Sequence, residues 1–215
     1  MLKAYSVQEN DEGTGGIYYA EHSIVALRHG ANEHGDGDIS YFKATRAPWA
    51  DEYAPGPCPQ LVMIDHGWWM ECHGCGVRID SDLIEYSDTP DIPDRELKPV
   101  EIGHGLWCSA ECRERDLKDR QERKDAEDKA KAAIEAMLLE KLPGVTVAGG
   151  HHAYVNKVDG VYVPEQVHIA FEFPGSKIGP GHFGHNKIGE EPHVTVCQGD
   201  LAAWEAWRES LKQPA

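Results

Sequence analysis

The chain has no apolar run near the roughly 18 residues needed to cross a bilayer. Its first residues, MLKAYSVQENDEG, lack the apolar segment of a secretory signal. Together these absences predict an intracellular protein, in a compartment where cysteines serve as metal ligands or buried thiols and not as disulfides. Positive charge is also scarce. Lys and Arg number 21 against 37 Asp and Glu, a net charge of -16. Residues 1–105 hold 19 acidic and 7 basic side chains, so that segment alone carries -12. No segment forms the basic stripe that phosphate contacts require, which disfavours direct nucleic-acid binding. No internal repeat is evident, and no His-Glu-x-x-His, His-x-His-x-Asp or ordered Ser/His/Asp set marks an active site. Gly13, Gly15 and Gly16 are wrongly spaced for a phosphate loop and read as a turn.

What is present suffices for one or two domains with cores: 215 residues, 40% of them hydrophobic, with a mean hydropathy of -0.54. The patterning predicts an α+β protein in four parts. Residues 1–60 form a small β-β-α-β unit, with Ser23 as the helix cap and a Pro-rich close at APWADEYAPGPCPQ. Residues 61–112 hold a cysteine-based finger, and 113–142 a long charged helix. Residues 143–215 form an antiparallel β-rich region with a final helix capped by Asp200. In the long helix Glu114–Lys118, Asp116–Arg120 and Asp119–Arg123 are acid-before-base pairs four apart. Ala130, Ala133, Ile134, Met137 and Leu138 define an apolar face only in its second half. The helix is therefore expected to dock at its C-terminal end and project at the other, as a spacer or as a homodimer or partner-binding arm. Beyond Pro143-Gly144, the segments GVTVA, HAYVNKVDGVYVP, EQVHIAFEFPG and HVTVC read as strands, with a hairpin turn at Asp159-Gly160. GSKIGPGHFGHNKIGEEP reads as a glycine-rich loop.

The chemistry concentrates in the middle. Cys72-x2-Cys75 is followed by Cys108-x3-Cys112. A redox pair would place its Cys-x-x-Cys at a helix start, whereas CHGCG is flanked for a tight knuckle. Chance clustering of buried thiols would not produce two close pairs. Two ligand pairs brought together are what a tetrahedral four-thiolate zinc site needs, one Zn2+ per chain. Ser109 is placed to cap the long helix, which puts Cys112 in its first turn, where free N–H groups and the helix dipole favour a thiolate. His73 and His104 lie close enough to substitute for one cysteine. Trp68 and Trp69 are expected to pack the finger. CHGCG, an intervening hairpin and WCSAEC opening a helix resemble treble-clef fingers of the FCS, MYM and TRASH type. In those fingers an aromatic precedes the third cysteine, as Trp107 does here, and a Cys-Ser-x-x-Cys supplies the last two ligands. The insertion SDTPDIPDRELKP departs from that pattern.

A wider resemblance covers most of the chain. AYSVQENDEGTGGIYYAEHSIVALRHGANEHGDGDIS, RAPWADEY, GWWMECHGCG and FEFPGSKIGP are similar to a group of small uncharacterised proteins of tailed bacteriophages and prophages. That resemblance implies expression in the host bacterial cytoplasm and a role in infection. It supplies no catalytic residue. The expectation is a non-enzymatic accessory protein with structural zinc that binds a host or phage protein, inhibiting a defence or nucleic-acid-handling complex. Two alternatives remain: nucleic-acid binding by the finger, and a metal-dependent hydrolase or nuclease. The second would use a further metal site at His182, His185 and His193, drawn from twelve histidines that also include His151 and His152. HVTV at 193–196 resembles half of the paired motif of two-histidine phosphoesterases, but its partner candidate HIAF at 168–171 lacks the hydroxyl residue. Cys58 reads as a loop thiol and Cys197 as a buried strand thiol.

Overall fold

The computed structural model describes residues 1–11, 13–187 and 189–212. Two compact units divide the chain, Met1–Glu114 and Arg115–Ala215. Each combines helix with antiparallel sheet, so the protein is of mixed α+β type. Among the described residues no helix is long and apolar enough to cross a membrane.

In the N-terminal unit, β1 (Lys3–Glu9), β2 (Gly15–Ala20), α1 (Ser23–His34) and β3 (Phe42–Arg46) follow in order, and the sheet runs β2-β1-β3, all antiparallel. Alternation along β1 sends Tyr5 and Val7 to one core and Ala4 to another. The small residues Ala26, Gly30 and Ala31 let α1 pack closely on the sheet. Closest approach falls at Gly30, where a Cβ would lie 2.5 Å from Val7 Cγ1. Ser23 is the first helical residue and not the cap; His22 holds the N-cap position without a side-chain bond.

A 3-10 turn over Pro48–Tyr53 carries Asp51, which accepts the Ala4 N–H at 2.7 Å and pairs with Arg46. This closes a second core of Ala4, Ala47, Ala50, Cys58 and Met63, with Trp68 packed against it. Cys58 is therefore buried although it sits between prolines. α2 (Gln60–Asp65) follows Pro59, which has no capping side chain. The Glu101 carboxylate caps it from a distance, accepting from Gln60 N at 2.7 Å and Leu61 N at 3.1 Å. Three short hairpins come next: β4 (Met70–Glu71) with β5 (Arg78–Ile79), β6 (Ile84–Glu85) with β7 (Arg95–Glu96), and β8 (Val100–Ile102) with β9 (Gly105–Trp107). α3 (Ala110–Lys141) then begins.

In the C-terminal unit the buried face of α3 is a row four residues apart, Ala130, Ile134 and Leu138, with Leu142 just beyond. Ala133, expected on that face, is exposed. Leu117 is 42% exposed. Asp119 does not pair with Arg123; it pairs with Lys157 and accepts from the Tyr162 hydroxyl at 2.6 Å, so this part of the helix is tied to the strands that follow. The segments expected as separate strands merge into one, β10 (Thr146–Val158), bent at Gly149 and Gly150, whose φ values are +84° and +65°. Asp159 and Gly160, both with positive φ, turn the chain tightly into β11 (Val161–Glu172). β12 (Gly181–His185) runs inside the segment expected to be a loop, and β13 (His193–Thr195) completes the antiparallel order β10-β11-β12-β13. Cys197 lies just past β13, half-buried.

The core under this sheet holds Val167, Ile169, Phe171, Phe173 and Phe183 against Ile134, Leu138 and Leu142. α4 (Leu201–Ser210) adds Trp204 and Trp207, whose rings lie 5.1 and 5.7 Å from Phe173. Leu201 and Leu211, expected on the same apolar side, stay exposed. Asp200 makes no side-chain cap. It is buried and accepts the N–H groups of Lys177 (3.1 Å), Ile178 (2.9 Å) and Gly179 (3.4 Å), which hold its carboxyl below the usual range.

Candidate metal centre

Cys72 and Cys75 occupy the turn between β4 and β5. The Cys72 N–H donates to Val77 O at 2.8 Å and the Gly76 N–H to Cys72 O at 2.9 Å. Gly76 has a φ of +74°, a conformation a side chain would strain. The His73 N–H donates to Leu106 O at 2.9 Å, which docks this knuckle on β9. Cys108 follows β9, and its carbonyl accepts the Lys98 N–H at 3.0 Å. Cys112 lies in the first turn of α3, its N–H donating to Ser109 Oγ at 3.1 Å, as expected of a helix cap.

The four sulfurs converge, all within 4.8 Å of one another. Cys72 and Cys112 Sγ are 3.6 Å apart, as are Cys75 and Cys108. These separations are far too long for disulfides and close to the edge, about 3.8 Å, of a tetrahedron with metal–sulfur bonds of about 2.3 Å. Cys72, Cys108 and Cys112 are buried, and Cys75 is exposed. His73 instead lies edge-on to Trp107 at 5.6 Å, and His104 sits in the β8–β9 turn with its carbonyl accepting from Gln60.

The electrostatics suit a cation. Burial disfavours a thiolate at Cys72, but N–H groups of Cys75, Cys108 and Gly74 outweigh it and bring the thiol down to about 6. Two of those donors, Cys108 N and Gly74 N, are 3.2 and 3.4 Å from the sulfur. Cys108 and Cys112 are pushed the other way, by burial first and by the neighbouring thiols second. A divalent ion at the centre would stabilise all four thiolates together. Arg95 contributes some positive charge from outside, its Nη2 3.6 Å from Cys108 Sγ. Four thiolates around one point can therefore hold a metal ion, with no position left for substrate.

The finger's core is Ile79, Leu97, Leu106 and Trp107, joined by Ile64 of α2. Trp68 packs in the other cluster and Trp69 is 48% exposed beneath the Arg78 guanidinium, so the tryptophan pair does not fill the finger. Arg95 and Glu101 were invisible as contributors in the sequence, because each acts across 13 and some 40 residues of chain.

The three C-terminal histidines are not brought together. His182 and His193 project from one face of the sheet, since His193 pairs with Gly184, two residues from His182. His185 has the opposite parity, and its Nδ1–H donates to Glu190 O at 2.6 Å. Among the described residues the four cysteines are the sole group of three or more potential ligands converging within 4.8 Å. Comparison with protein-family models, curated proteins and solved structures yields no match.

Proposed function

We propose that the protein is a binding protein and not an enzyme, in which one zinc ion held by Cys72, Cys75, Cys108 and Cys112 is structural. The carrying observation is the four-sulfur geometry, a donor set that suits a closed structural zinc site. The treble-clef resemblance of CHGCG and WCSAEC supports the same reading.

The zinc centre holds out the inserted β6–β7 hairpin as the binding element. Tyr86 and Ile92 are 63% and 58% exposed there, amid Asp82, Glu85, Asp88, Asp91 and Asp94. Apolar anchors in an acidic surround suit a partner with a basic rim, such as the nucleic-acid-facing groove of a host or phage protein. The phage-group resemblance supports an encounter in the host bacterial cytoplasm, where occupying such a groove would inhibit its owner. The test is affinity capture from nuclease-treated bacterial lysate. A partner retained by the wild type, lost with Y86A/I92A and released by moderate salt supports the proposal. Capture indifferent to both variant and salt, or dependent on nucleic acid, removes it.

A further inference from the structure

The outer face of the C-terminal sheet carries a row of histidines drawn from separate strands. His152 of β10 pairs with His168 of β11, His168 with Gly184 of β12, and Gly184 with His193 of β13. Directly paired residues share a face, and His182 joins them two positions before Gly184. The break in the row at Gly184 matters most. A Cβ there would lie 2.8 Å from His168 Nδ1, so the His168 ring leans over the glycine toward His193. The two ring centres are 5.5 Å apart although their strands are separated by a third. Gln166 Nε2 lies 3.1 Å from His168 Nε2 and fixes that side of the ring.

We propose that this face binds a divalent transition-metal ion of borderline softness through His168 and His193, with His152 or His182 closing as third ligand. Two imidazoles on one ion with metal–nitrogen bonds of about 2.1 Å hold their ring centres about 5 Å apart, so the pair needs little movement. Neutral imidazole is the form that ligates. Unlike the cysteine centre, this site keeps coordination positions open to water or to a donor atom of another molecule.

The test uses untagged protein with its first zinc in place, titrated with Ni2+ by calorimetry and by paramagnetic broadening of histidine NMR signals. One Ni2+ per chain is expected, weakened about tenfold or more in His168→Asn or His193→Asn and essentially unchanged in His185→Asn. Absence of Ni2+ binding, or binding that ignores the His168 and His193 substitutions, overturns the proposal. Zinc content, measured on every sample, reports separately on the cysteine centre and on folding, so the two readings fail independently.

Discussion

Replacing Leu138 with alanine should destabilise the C-terminal unit by about 3 to 4 kcal/mol. Leu138 is 0% exposed and packs with Ile134, Leu142, Phe171 and Phe183 in one cluster. Removing three buried carbons forfeits about 2.4 kcal/mol at about 0.8 kcal/mol each. The cavity left among rigid aromatic neighbours adds about 1 kcal/mol more. For a unit of about 100 residues that lowers the melting temperature by about 15 °C or more. Its neighbour Leu139 is 45% exposed, and L139A should cost under about 1 kcal/mol. Thermal and urea unfolding followed by fluorescence of Trp204 and Trp207, which pack on the same core, provide the assay. Zinc content should be unchanged in both variants, since all four cysteines lie in the other unit. Equal losses for L138A and L139A would refute the assigned face of α3.

Cys72→Ser should abolish stoichiometric zinc, measured by elemental analysis, and expose the 67–112 region to protease; retention of one zinc per chain would exclude Cys72 as a ligand. Gly30→Ala should lower stability by about 1 to 2 kcal/mol, because overpacking against fully buried Val7 outweighs the roughly 1 kcal/mol that alanine gains in a helix. Denaturant midpoints decide the sign, and a stabilised variant would contradict the close approach. Asp200→Asn should lower the melting temperature by several degrees, since three backbone N–H groups lose a charged acceptor. The folded pKa of Asp200 is depressed, so its contribution is present above the ordinary carboxylate range and lost as pH falls through the folded value. Acid unfolding of the wild type should therefore be steeper than that of D200N.

Much of the four-cysteine cluster was legible because its determinants are local: two close cysteine pairs, glycines at the knuckle, and a serine three residues before Cys112. Long-range determinants were not. β12 hides in a glycine-rich segment, yet its glycines are a consequence of sheet packing. A Cβ at Gly181 would meet the Phe171 ring at 2.7 Å, and one at Gly184 would lie 2.1 Å from Val167 O. Such approaches belong to the partner strand and leave no trace in local periodicity. Gly149-Gly150 misled for a related reason, punctuating as a break where the strand only bulges. The apolar phase of α3 was read one residue too wide at Ala133, because alanine satisfies either face. Asp200 has a capping residue's sequence position, but its carboxylate is engaged by a loop some twenty residues earlier.

The inserted hairpin is fastened at its base. The Leu97 N–H donates to Leu83 O at 2.7 Å, Lys98 is bonded to Cys108, and Leu97 itself is buried in the finger core. Residues 86–94 lie beyond these attachments, and nothing in either core depends on them. Mutation there is uncoupled from folding, so the tip can diverge quickly while its stem stays constant. On the binding role proposed for this hairpin, a changing target would be followed by rewriting nine residues, and the same nine are where a foreign recognition sequence would be grafted.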